Sequence, residues 1–220
     1  MHPTRSALLL SFVLSVAVFA QDAKENVAFK WAFGAITGPK KVFVPISRDT
    51  TLLSGDDVKM YVTLDRSCFV YVIHAGPSGE ITLFFPYSLK QFDADYTTGK
   101  NYYVPKGRDW VHLDKTTGKE TFYLLASAER LTKLEDLLGA YQKADPANKA
   151  DASQAVRTEI NDVRKRFRTF TTFAEKPVTI GGNIRGVGES VQTKRPDVAD
   201  IATAVSAANF YAKTVTIDHR

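Results

Sequence analysis

The feature that most constrains this chain is a change in hydrophobic period along it. Val58, Met60, Val62 and Leu64 alternate with Lys59, Tyr61, Thr63 and Asp65, the period-two pattern of a strand with one face in a core and one toward water. The runs Cys68–Ile73 and Ile81–Phe85 are apolar on both faces, and Gly76-Pro77-Ser78-Gly79 separates them. Two buried strands around a Gly/Pro turn predict a central hairpin. Further strands are expected at Tyr102–Val104, Trp110–Leu113 and Thr121–Ala126. Tyr211, Lys213, Val215 and Ile217 alternate with Ala212, Thr214, Thr216 and Asp218, which predicts a closing strand. Thr-Thr-Gly-Lys occurs at 97–100 and again at 116–119. Glycine tolerates the positive φ of tight hairpins, so each copy predicts a turn before an aromatic strand.

After Ser127 the period becomes helical. Leu131, Leu134, Leu137, Leu138 and Tyr141 recur at turn spacing, with Thr132 and Glu135 placed as a capping box. Asp145-Pro146 offers a cap followed by proline at the first helical position. A second helix is expected through Arg168, with Ala152, Val156, Ile160, Val163 and Phe167 on its apolar face. Strand signals return near Thr169–Phe173. The organisation is therefore mainly β within the α+β class: an antiparallel β-sandwich-like domain with an inserted helical hairpin. Its β-rich part spans 41–127, the helical pair 128–168 and the C-terminal strands 169–220.

Ahead of this body lies a leader. His2 and Arg5 precede an apolar run from Ala7 to Phe19, broken only by Ser11 and Ser15, and Val18-Phe19-Ala20 presents small residues at the positions read by a signal peptidase. Residues 1–20 read as a signal peptide cleaved near Ala20, leaving 21–220 as a single exported domain, periplasmic or secreted. The run is short for a membrane span, and no later stretch approaches spanning length. Cleavage takes away one arginine and no acid, so the formal charge of +5 falls by one. That balance is too mild to indicate a nucleic-acid partner. Cys68 is the only cysteine, which excludes an internal disulfide despite an oxidising destination. It opens an apolar run and reads as a small buried hydrophobe.

Signatures of catalysis and cofactor binding fail one by one. His74, His112 and His219 stand singly, without the spacing of a zinc site. Gly76-Pro77-Ser78-Gly79-Glu80 lacks the last glycine of a nucleophile elbow. Gly99-Lys100 and Gly118-Lys119 lack the rest of a phosphate loop, and Arg185-Gly186-Val187-Gly188 reads as a turn. Asp93-Ala94-Asp95 is the nearest approach to a calcium ligand set, but Thr98 and Val104 stand where an EF-hand needs glycine and glutamate. No catalytic residue, metal ligand or cofactor is assigned. A hydrolase site assembled from dispersed residues such as His74, His112 and nearby carboxylates is the alternative, because triads are defined by geometry.

At 100° per residue Arg157, Arg164 and Arg168 fall on one flank of the second helix. These three form the candidate partner surface, suited to an envelope protein or an anionic envelope polymer. The opposite flank carries Glu159, Asp162 and Arg166, placed for pairing along the helix.

Several pieces of the β-rich part occur in a recognisable order. Thr51-Leu52-Leu53-Ser54-Gly55-Asp56-Asp57-Val58 is followed by Phe69-Val70-Tyr71-Val72-Ile73. Then come Gly79-Glu80-Ile81-Thr82-Leu83-Phe84-Phe85-Pro86, Tyr102-Tyr103-Val104-Pro105 and Gly118-Lys119-Glu120-Thr121-Phe122-Tyr123-Leu124-Leu125-Ala126-Ser127. This series resembles the bacterial domain of unknown function 4384 family over roughly residues 45–140, with Lys119 where the family commonly has threonine. The resemblance implies an exported or envelope-associated β module, often found beside other domains, with no established activity. On both grounds the expected function is a non-enzymatic binding or assembly module of the cell envelope.

Overall fold

The computed structural model describes residues 26–168, 173–177 and 195–220. The leader at 1–20, the first part of the strand signal at Thr169–Phe173 and the Arg185–Gly188 turn lie outside the described residues.

Two sheets pack face to face. The first is centred on β1 (Val27–Thr37) and β4 (Asp57–Leu64), which pair antiparallel from Phe29↔Leu64 to Ile36↔Asp57. Around them stand β2 (Val42–Pro45), β7 (Asn101–Val104), β8 (Val111–His112), β10 (Phe173–Pro177) and β11 (Thr203–Ala207). The second sheet runs in the order β3 (Thr50–Leu52), β12 (Phe210–His219), β9 (Gly118–Ser127), β5 (Phe69–Ala75), β6 (Ile81–Phe85). Only the β3–β12 pair of that sheet is parallel. Phe29, Phe33, Met60 and Val62 from the first sheet meet Val72, Phe122, Leu124 and Val215 from the second in one core, so the β-sandwich with a helical hairpin is the observed architecture.

Strand β4 is buried on both faces rather than one. Its second face is covered from far along the chain, where Val198 and Ala202 pack on Ala32 and Tyr61. The β5–β6 hairpin forms as expected, but β6 is the edge of its sheet rather than its centre. Pro86 and Pro105 directly follow β6 and β7, each after a cis peptide bond. The first Thr-Thr-Gly-Lys is a turn with Gly99 at φ 75°. The second is not: Gly118 already belongs to β9 and pairs with His219. A Cβ there would lie 2.5 Å from Pro77 Cβ, so close approach of the β5–β6 turn is what the glycine permits.

The hairpin of α1 (Thr132–Lys143) and α2 (Lys149–Phe167) covers the outer face of the second sheet. Leu134, Leu138, Val156, Ile160 and Val163 bury against Tyr71, Ile73, Leu125 and Phe210. Each such side chain contributes about 1.5–3 kcal/mol by leaving water, which holds two helices of modest intrinsic stability in place. The expected capping box does not form. Leu131 is the cap residue and no side chain caps it. Glu135 turns inward instead, toward Tyr71 and Arg130. Nor does Asp145 cap α2: it accepts from the Asn148 amide at 2.9 Å and closes a turn one step before the helix. Glu159 is buried between the helices, where Lys133 of α1 and Arg166 of α2 both pair with it.

Candidate functional site

The expected partner surface divides along α2. Arg157 is half-buried and points into a cleft of about 720 Å³ between the β5–β6 turn and the start of α2. Arg164 and Arg168 are exposed on the same flank, about 10 and 16 Å further along the helix at 1.5 Å per residue. They extend the basic flank without lining the cleft.

Two hydrogen bonds fix the cleft floor by tying the β5–β6 turn to the helices. The Ile81 amide donates to the Tyr141 hydroxyl at 2.9 Å, and the Ser153 hydroxyl donates to the Gly79 carbonyl. Arg157 Nε in turn donates to Ser153 Oγ at 3.4 Å, so the guanidinium is held by the residue that grips the turn. Lys149 donates to the Tyr141 carbonyl at 2.7 Å and lies 4.1 Å from the centre of its ring. Exposed Lys119 enters from β9. Three cations therefore face one carboxylate, Glu80, around a cavity of small-ligand size. Helical spacing identifies Arg157 alone. Lys119 and Lys149 are 30 residues apart and meet only because the hairpin docks on the helices.

At the open end of the sandwich a second constellation appears. His74, Glu120 and His219 face into the space between the sheets from β5, β9 and β12. Glu120 binds His74 Nε2 through one oxygen, and its other oxygen is 3.7 Å from His219 Nδ1. Ser54 Oγ is 3.2 Å from His219 Nε2. His112 stands across the opening, with Nδ1 2.9 Å from the Asp57 carboxylate. His74, His112, Glu120 and His219 border a cavity of about 220 Å³ floored by Val58, Phe84, Val111 and Phe122. The histidines are single in sequence but share one rim in space.

A serine, an imidazole and a carboxylate in this order resemble a catalytic relay. Acyl transfer also needs free donors for an oxyanion. The Ser54 amide donates to the Arg220 carbonyl and the Gly55 amide to the Leu113 carbonyl, both at 2.8 Å. The turn itself is held by Asp56, whose carboxylate accepts from the Leu53 and Gly38 amides at 2.9 Å.

Other candidates find structural partners. Asp93 pairs with Arg130 at 3.0 Å and Asp95 with Lys100, so the loop that looked nearest to a calcium site presents ion pairs. Among the described residues no group of three or more His, Cys, Asp or Glu side chains is placed to hold a metal ion. Cys68 is buried and burial pushes its thiol up to about 11, as suits a small hydrophobe rather than a nucleophile. No described helix is long and apolar enough to cross a membrane.

Residues 51–130 match the family described as Domain of unknown function (DUF4384). The DUF4384 region contains Ser54, His74, Glu80, Lys119 and Glu120, whereas Lys149, Arg157 and His219 lie outside it. Both constellations are thus completed by residues from beyond the DUF4384 match. No curated protein and no solved structure matches the chain.

Proposed function

We propose that this protein is an exported, non-enzymatic binding module that takes an anionic polymer of the cell envelope in the basic cleft beside α2. The observation that carries the reading is the convergence of Lys119, Lys149 and Arg157 against the single carboxylate of Glu80 around about 720 Å³. Arg164 and Arg168 continue the positive flank for a polymer longer than the cleft. The leader sequence supports export, and the family resemblance supports an envelope role. The competing reading, a hydrolase, is favoured by the Ser54–His219–Glu120 contacts. It is opposed by the Ser54 and Gly55 amides, which already donate to carbonyls.

The test is equilibrium binding of polyphosphate and of poly-glutamate to the mature chain at two salt concentrations. Salt-sensitive binding weakened at least tenfold by a Lys119→Glu/Arg157→Glu double variant is expected, with a smaller loss for Arg164→Glu/Arg168→Glu. Binding that ignores both double variants would refute the module reading. Turnover of ester substrates abolished by Ser54→Ala would establish the hydrolase instead.

A further inference from the structure

The histidine-rimmed mouth adjoins the basic cleft at Glu80, which lines both, and has the opposite electrostatic character. Glu80, Asp114 and Glu120 line it, and among the described residues neither lysine nor arginine borders it. The Asp114 carboxyl is held below its usual range, first by the Thr116 amide that donates to it, so it stays ionised. Of the imidazoles, His74 is on Glu120 and stacks against Phe84, and His112 is on Asp57. Asp57 also pairs with Arg195 and Lys41, so that carboxylate is already neutralised from the outer side. Glu80 also faces the basic cleft, whereas Asp114 and Glu120 have no lysine or arginine partner among the described residues.

The deciding atom is His219 Nδ1. His219 is 3% exposed, and among the described residues its buried Nδ1 has no hydrogen-bond partner. Ser54 has one hydroxyl proton. Directed to the Arg220 carbonyl at 3.4 Å, it leaves Oγ to accept from Nε2–H. With the tautomer assigned in that way, Nδ1 is a bare lone pair facing the Glu120 carboxylate at 3.7 Å. Two acceptors turned toward one another call for a donor between them. A single N–H-rich cation at about 2.9 Å from each would satisfy both.

The floor says what the rest of that cation resembles. Phe84 and Phe122 lie 6.1 Å apart, His74 stacks on Phe84 at 5.4 Å and tilts against Phe122 at 4.8 Å, and Val58 and Val111 complete an apolar surface. Such walls suit a short hydrocarbon stem, and the ring faces attract positive charge. We propose that this mouth binds a primary ammonium group on a short alkyl stem, gripped by Glu120 and His219 Nδ1 with its stem on Phe84 and Phe122. A free alkylamine and a lysine side chain of a partner share that chemistry.

The probes are n-butylammonium, acetyl-lysine amide with its free ε-amine, n-butanol as the neutral analogue, and zinc chloride. The readout is the ring-proton NMR signals of His74 and His219 in the mature chain. Saturable shifts are expected with butylammonium, and none with butanol. Shifts at lower concentration with the lysine derivative identify the side chain as the source, and a preference for butylammonium identifies a free amine. Glu120→Gln should weaken the response at least tenfold and Asp114→Asn two- to threefold. The Asp114 substitution is on the surface and keeps the test interpretable if the Glu120 variant unfolds. An equal response to butanol, an unchanged response in both variants, or zinc displacing the amine at micromolar concentration would overturn the proposal.

Discussion

The Tyr71 hydroxyl donates to the Glu135 carboxylate at 2.6 Å, in the buried seam between the second sheet and α1. The same oxygen accepts from the Leu131 amide at 3.0 Å, and Arg130 Nε meets both oxygens of Glu135 at 3.1 Å. One phenol thus satisfies the amide of Leu131, the residue that leads into α1, which has no side-chain cap of its own. The helical pair is attached to the sandwich by this network as well as by apolar burial.

Removing that hydroxyl leaves the Leu131 amide and one Glu135 lone pair without their partner in a dry place. Tyr71→Phe is therefore expected to lower stability by about 1–3 kcal/mol. In thermal unfolding a chain of this size shifts by about 2–4 °C per kcal/mol. Glu135→Gln should cost a similar amount, and the double variant should cost less than the two together because the side chains share one network. Strict additivity in urea unfolding would show that the network does not act as a unit.

Buried phenols also set the alkaline limit of the fold. Burial pushes Tyr71, Tyr96 and Tyr211 well above the ordinary 10.0, and Tyr103 up to about 12. Above pH 10 the unfolded chain releases these protons while the folded chain keeps them, so the native state binds more protons and stability falls as pH rises. Each of the three deeply buried tyrosines adds a slope of up to about 1.4 kcal/mol per pH unit between its two pKa values. Tyrosinate absorbance at 295 nm should rise together with loss of β-sheet circular dichroism. Full tyrosine titration of a chain still folded at pH 11.5 would contradict this.

The parts of this structure legible in sequence are those whose signal is local. Val58, Met60, Val62 and Leu64 mark β4 because successive side chains alternate, and Arg157, Arg164 and Arg168 share a flank because 100° steps bring them together. The longest strand, β1, escapes the same reading. Val-Ala-Phe-Lys-Trp-Ala-Phe-Gly-Ala-Ile-Thr is apolar almost throughout and buried on both faces, so it has no alternation to detect. Lys59 and Tyr61 look solvent-facing until Val198 and Ala202 pack with Tyr61 and the carbonyls of Pro105, Gly107 and Asp109 take up the Lys59 amine. His74, Glu120 and His219 meet only through the pairing of β5 and β12 with β9, and no spacing rule encodes a contact made by sheet order.

Gly118 is where that sheet order meets the basic cleft. Its φ of +143° is one that other residues rarely adopt, and Pro77 leaves no space for a Cβ. Gly118→Ala should therefore cost about 1–3 kcal/mol from overpacking alone, with a further contribution from backbone strain. Displacing the β5–β6 turn moves Lys119 and Glu80 relative to Arg157, so polyphosphate binding should weaken in the same variant. Ala at Gly99, where nothing lies within 4 Å, should leave binding intact. Equal effects of the two substitutions on binding would sever the turn from the cleft.

Lys59 gives a pH test with the opposite slope. It is buried on β4 and its amine donates to the carbonyls of Pro105, Gly107 and Asp109. Burial is the main cause that lowers its pKa below 10.5, against the raising effect of nearby Asp109. Between that lowered pKa and 10.5 the unfolded chain binds the extra proton, so the contribution of Lys59 to stability grows as pH rises. Lys59→Met removes the titrating group but keeps the stem and leaves three carbonyls without their donor. The stability of the parent chain minus that of the variant should therefore increase from pH 8.5 to 10.5, with the tyrosine effect cancelling in the difference. Trp110 follows the carbonyls that Lys59 holds, so its fluorescence should shift in the variant at every pH. A difference in stability that falls over this range would mean that the carbonyls and Asp109 outweigh burial and raise the lysine pKa.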